Sequence, residues 1–134
     1  MSARSKARKR ALDLIYASEM RNRSAIEALE EHRASGPVNE YTADLVHGVT
    51  EHRDRLDEVI ASYAKDWSLE RMPAVDRNVL RMATYEVLYV DDVPDAVAVS
   101  EALNLVRELS TDESPAFVNG VLGNIVRDSE SITR

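Results

Sequence analysis

Apolar residues recur at three- and four-residue steps along almost the whole chain, the spacing of one helix face. Leu12, Ile15, Tyr16 and Met20 form such a stripe and predict a first helix from about Ser5 to Arg21. A second starts at Ser24, where Ser24 and Glu27 make a capping box, and stops near the SGP run at 35–37. A third, long helix is expected from about Asn39 to Tyr63, with Leu45, Val49, Leu56, Val59, Ile60 and Tyr63 on its apolar face. Gly48 inside it costs about 1 kcal/mol against Ala and marks a bend or a close approach.

The run KDWSLERMP at 65–73 reads as a junction, with Pro73 at the first position of the next helix. That fourth helix, to about Val90, carries Val75, Val79, Leu80, Ala83, Val87, Leu88 and Val90 on more than one face, so it is expected to be central. DDVPD at 91–95 breaks it. A fifth runs from about Ala96 to Leu109, with Val99, Ala102, Leu103, Val106 and Leu109 inward. Ser114-Pro115 reads as N-cap and first residue of the last helix, which carries Phe117, Val118, Val121, Leu122, Ile125 and Val126; the tail from Asp128 is expected to fray. Strand signals are nearly absent. The expectation is an all-α helical bundle: one domain over 1–134, built of two small packed subdomains at about 1–67 and 68–134.

Composition adds exclusions. The chain has 134 residues, no cysteine and no apolar run of membrane-spanning length. Disulfides and thiolate metal sites are excluded, and a soluble cytoplasmic protein is expected. The basic start is no signal peptide, because Asp13 and Glu19 interrupt the segment that would have to be apolar.

Catalytic signals are missing. The four glycines, at 36, 48, 120 and 123, build no phosphate loop. His47 and Glu51 lie four apart, an incomplete metal set that reads more simply as a surface pair. The acid pairs Glu30-Glu31, Asp91-Asp92 and Asp112-Glu113 are sequence neighbours, which do not face each other on a helix. Glu86 sits on the most apolar helix and calls for a cation such as Arg77, Arg81 or Arg107. No catalytic residue, metal or cofactor is expected.

Charge is uneven. The chain has a net charge of -7, yet its first ten residues hold Arg4, Lys6, Arg8, Lys9 and Arg10 and no acid, a local +5 against -12 for the rest. Any polyanion must therefore be gripped locally. On a helix Arg4 and Arg8 lie four apart, as do Lys6 and Arg10, and the apolar residues that follow anchor the far end. A frayed, merely solubilising terminus is the alternative. A membrane-surface helix would need large apolar residues among the bases, and only Ala and Ser are there. Five phosphate contacts to single-stranded nucleic acid would give a log-affinity slope of about -3.5 against log salt and little sequence choice, so a second surface or a partner is needed.

Three segments, ARKRALDLIYASE (7–19), VDRNVLRMATYEVLY (75–89) and DVPDAVAVSEALNLVRELSTDESPAFVNGVLGNI (92–125), resemble the NusB family of transcription antitermination factors. The likeness covers nearly the whole chain, and the block containing FVNGVL is its most specific part. It implies an all-helical fold of two small bundles and a non-enzymatic adaptor. That adaptor would bind the boxA element of nascent ribosomal RNA with NusE, a small-subunit ribosomal protein, within the RNA polymerase antitermination complex. A protein–protein scaffold without RNA binding is the rival reading. The resemblance leaves the oligomeric state open, a homodimer included.

The family's RNA contacts map onto Arg4, Lys6 and Arg8, with Lys9 and Arg10 as added charge, and onto Glu113 and Phe117 in and after the loop before the last helix. Phe117 is expected either to stack on a base or to pack in the core. NusE contact maps onto Tyr16, whose alternative is core packing, and onto Asp76, whose alternative is to stabilise a helix N-terminus. One departure matters: Pro115 and Ala116 stand where many members carry a basic residue before the aromatic. That implies weaker intrinsic RNA binding, or stronger dependence on NusE.

Overall fold

The computed structural model describes residues 2–134; Met1, where the expected domain begins, lies outside them. Among these residues the regular structure is helical throughout. Two compact units meet in sequence at Glu51 and His52, whereas the sequence suggests a junction near Trp67.

The first unit holds α1 (Ala3–Met20), α2 (Ala25–Ser35) and α3 (Glu40–Glu51). Each of the three packs on the other two. Ala11, Leu12 and Ile15 of α1 are buried, as are Leu29 of α2 and Leu45, Val46 and Val49 of α3. The Thr42 hydroxyl donates to the Ala7 carbonyl at 3.0 Å and pins α3 to α1. The Ser24 side chain accepts from the Glu27 N–H at 3.3 Å, as its capping sequence predicts. Met20, expected inside the stripe, is 49% exposed; the α1 stripe ends one turn early because the chain turns away at Arg21.

The second unit holds α4 (Arg53–Tyr63), a 3-10 turn at Leu69–Arg71, α5 (Ala74–Tyr89), α6 (Asp95–Leu109) and α7 (Ser114–Asp128). Helix α5 packs on α4, α6 and α7, the central position its apolar breadth predicts. It also buries Asp76, Asn78, Arg81, Thr84 and Glu86. Burial of such groups needs partners. Arg81 supplies one solution, donating from Nε to Asp57 Oδ1 at 2.7 Å, from a terminal nitrogen to Asp57 Oδ2 at 3.2 Å, and to Asn78 Oδ1 at 3.0 Å.

Four local expectations change. The long helix over 39–63 is interrupted at His52, which leaves helical geometry at φ -102° and ψ 13° while its ring stacks on Tyr89 with centroids 4.0 Å apart; Gly48 stays helical and buried. Pro73 caps α5 from outside instead of starting it. The buried face of α6 is Ala98, Ala102, Leu105 and Val106, with Leu109 exposed, because small Ala98 sets the register rather than Val99. The tail is tied down: Arg55 Nε donates to the Thr133 carbonyl at 2.7 Å, and Arg134 donates to the Leu88 carbonyl.

Candidate functional site

Helical structure begins at Ala3, so the cations at 4–10 stand on a helix rather than a loose end. Ser2 is the reason: its Oγ accepts from the Ser5 N–H at 3.0 Å, the usual way to satisfy an orphan donor. Nothing acidic occupies the first turn. Cations there oppose the helix dipole and cost roughly 0.3–1 kcal/mol each, where acids would stabilise. A surplus of unfilled backbone N–H groups and cations at one helix end is an arrangement suited to phosphate.

The five cations are not equivalent. Arg4 and Arg8 lie over the Tyr41 ring, their guanidinium carbons 4.3 and 5.5 Å from its centroid. Arg8 is 3% exposed and Tyr41 is also buried. This departs from the expectation of five open phosphate-gripping groups: burial against Tyr41 makes Arg8 part of the packing between α1 and α3. Lys6 and Arg10 take the opposite role. Both are exposed, and both line a cavity of about 390 Å³ next to the α2–α3 loop. Lys9 is half-buried and Arg4 exposed.

Tyr16, further along α1, is 37% exposed. It stands at the surface and not in the core, available to a partner.

In the second unit, Glu113 is exposed and precedes α7, its carbonyl accepting from the Phe117 N–H at 3.2 Å. Phe117 is half-buried. Its ring meets Trp67 edge-to-face, centroids 5.2 Å apart at 67°. The ring is thus packed on one flank, as the core alternative expects, while the residue still reaches solvent.

Asp76 departs from its expected surface role. It is 0% exposed. Its carboxylate accepts from the Ser110 hydroxyl at 2.6 Å and from the Ser114 hydroxyl at 2.8 Å. The Ser114 oxygen in turn accepts from the Thr111 N–H at 3.2 Å. Asp76 therefore latches the turn between α6 and α7, the turn that carries Glu113. Ser114 is spent in this latch, and α7 begins with it rather than after it.

Sequence reasoning missed Tyr41, Trp67 and the Ser110–Ser114 latch. Trp67 had a signal, being the only tryptophan. The latch had none, because its members are 34 and 38 residues apart in sequence. Among the described residues no group of three His, Asp or Glu side chains is placed to hold a metal, and no helix is long and apolar enough to cross a membrane.

The NusB family model matches residues 5–127. The chain is 63% identical to the transcription antitermination protein NusB of a Nocardioides species, over 98% of this chain and 99% of that one. T. maritima NusB superposes with a TM-score of 0.85 at 32% identity, covering 96% of this chain and 93% of that one. A structure of antitermination factors NusB and NusE in complex with double-stranded RNA contains a chain that matches with a TM-score of 0.80 at 26% identity, covering 92% and 96%.

Proposed function

The chain belongs to the NusB family of transcription antitermination proteins, and on that premise we propose that it is a non-enzymatic, cytoplasmic adaptor that binds boxA of nascent ribosomal RNA together with NusE. The observation that carries this reading is the start of α1, where cations are fixed on a helix against its dipole, with Lys6 and Arg10 exposed over a cavity. A merely solubilising terminus would not need to be helical from Ala3. The grip is electrostatic: the side chains of Arg4, Lys6, Lys9 and Arg10 displace counterions from the RNA phosphates they meet. With Arg8 packed on Tyr41, four contacts remain, and the slope of log affinity against log salt is about -2.8 for a single strand.

Such contacts hold RNA but barely select sequence. Selection is assigned to Phe117 and Glu113, with NusE docking on exposed Tyr16. A related chain occurs in a structure of NusB and NusE in complex with double-stranded RNA, which supports a place for this chain beside both RNA and NusE. Asp76 enters as a positioning residue that holds the Glu113 turn, not as a contact. Pro115 and Ala116 contribute no cation beside Phe117, so NusE carries a large share of the affinity. The assembly acts within the RNA polymerase antitermination complex.

The test is fluorescence anisotropy with a boxA-like single-stranded RNA at several salt concentrations, with and without NusE. The adaptor binds RNA, and NusE strengthens binding. Full NusE binding with no RNA affinity in either condition would favour a protein–protein scaffold. Light scattering on the same samples reads whether a homodimer competes with NusE.

A further inference from the structure

The cavity beside α1 has a composition that the basic helix alone does not account for. One wall is α1, with Lys6 and Arg10 four residues apart; the other is the end of α2 and the α2–α3 loop, with His32, Pro37, Val38 and Asn39. Ala3, Ala7 and Thr42 complete the lining. At about 390 Å³ it falls in the size range of small-ligand sites, about 300–1,000 Å³.

Three features define what it takes. No carboxylate lines it. Among the described residues the Lys6 ammonium and the Arg10 guanidinium have no ion-pair or hydrogen-bond partner. Asn39 uses its Oδ1 to accept from the Tyr41 N–H at 2.8 Å, which leaves its amide N–H groups as donors. The long polar side chains of this wall thus offer donors to an acceptor-rich ligand. Pro37 and Val38 add an apolar surface between them. The neighbouring cavity along α1 and α2 makes the contrast: it holds Arg23, but Glu31 lines it too and pairs with that arginine.

We propose that this cavity receives one phosphate–nucleoside unit of a single-stranded RNA, the phosphate on Lys6 and Arg10 and the nucleoside against Pro37 and Val38 with Asn39 donating to it. The inference rests on the RNA-binding reading above and extends it to a loop outside the basic helix. It gives the first unit a means of choosing RNA that phosphate contacts lack, because a base held against a wall is read by shape and by its donors and acceptors.

The full chain is titrated with a boxA-like single-stranded oligoribonucleotide, and separately with inorganic phosphate, while the methyl signals of Val38 and Thr42 are followed by NMR. Asn39→Asp keeps the acceptor for the Tyr41 N–H and replaces the donors by a charge of the wrong sign. Val38→Glu places a carboxylate on the same wall by a second route. Circular dichroism checks that both variants keep their helicity. RNA moves both methyl signals, and each variant weakens RNA binding by about tenfold or more, since like charges facing each other cost several kcal/mol. Lys6→Ala and Arg10→Ala each lower the salt slope by about 0.7 and the affinity by about fourfold near 0.15 M salt.

RNA bound at full strength by both wall variants, with the methyl signals still, would overturn the cavity while leaving the adaptor reading intact. Phosphate moving the same signals while RNA binding ignores the wall would reduce the cavity to a plain anion site and overturn the proposal. Absence of RNA binding under every condition, NusE included, would remove both.

Discussion

Up to Glu51 the chain carries eight Lys/Arg and eight Asp/Glu; from His52 onward it carries nine against sixteen, so the whole formal charge of -7 resides in the second unit. The two units also spend their charge differently. In the first, an apolar core of Leu12, Leu29, Leu45 and Val46 is closed, and most of the cations at 4–10 lie outside it. In the second, the central helix carries Asp76, Arg81 and Glu86 into the interior. Charge at the surface of the first unit is available to a polyanion. Charge inside the second is committed to holding helices and turns in place.

The comparison can be broken in several places. The largest effect is expected at Arg81. Arg81→Ala leaves Asp57 without its two-pronged partner, and stability should fall by about 3 kcal/mol, the low end for a buried pair that loses one member because Asp57 is partly exposed. Urea unfolding measures it; a loss below about 1 kcal/mol would make this pair no better than a surface one. Asp76→Ala should cost about 2 kcal/mol, because the buried Ser114 hydroxyl and the half-buried Ser110 hydroxyl lose their acceptor. The same variant should weaken RNA binding through the Glu113 turn both with and without NusE, while NusE binding alone stays close to wild type. Unchanged RNA binding in both conditions would argue against a latch.

Tyr41→Leu probes the first unit. Arg4 and Arg8 lose their ring, at about 1 kcal/mol in stability, and Arg4 loses its fixed position. RNA affinity should drop only slightly, as the charges remain. A drop as large as that from Lys6→Ala would make Tyr41 itself part of the RNA surface.

The smallest effect is a pH dependence at the end of α7. Asp128 is held below the usual carboxylate range by a hydrogen bond from Arg127 first and from the Tyr63 hydroxyl second. Its folded value lies below its unfolded one, so its contribution is present above the unfolded value of about 3.9 and fades as pH falls through the folded value. Tyr63 is pushed the other way by the same bond. Its contribution is present below the ordinary tyrosine value of about 10 and is lost as pH rises through the folded one. Tyr63→Phe should flatten both edges of a plot of Tm against pH, and an unchanged profile would remove this bond from the account. Partial exposure of the pair keeps the effect slight.

Legibility in the sequence follows the same division. The stripe Leu12–Ile15, the Ser24 cap and the breadth of α5 are local patterns, and helices obey local patterns. The inward face of α6 was half legible: Ala102 and Val106 are buried as expected, but Ala98 was passed over because an alanine carries little hydrophobic weight, and Leu105 takes the place given to Leu109. Spacing puts Lys6 and Arg10 four residues apart on α1, and family likeness groups them with the other cations of 4–10. Neither source separates them from Arg8, because Tyr41, which takes Arg8 out of solvent, lies 33 residues along the chain. Asp76 was assigned a partner contact for the same reason: the serine hydroxyls that donate to it, 34 and 38 residues along the chain, reach it only through folding.

The most direct measurement is the salt dependence of RNA binding by the full chain, its Lys6→Ala/Arg10→Ala double variant, and a control variant lacking the exposed second-unit cations Arg53 and Arg107. The slope of log affinity against log salt should be about -2.8 for the full chain and about -1.4 for the double variant, and the control should match the full chain. A slope unmoved by loss of Lys6 and Arg10, or lowered as much in the control, would contradict the assignment of RNA binding to the first unit's open cations.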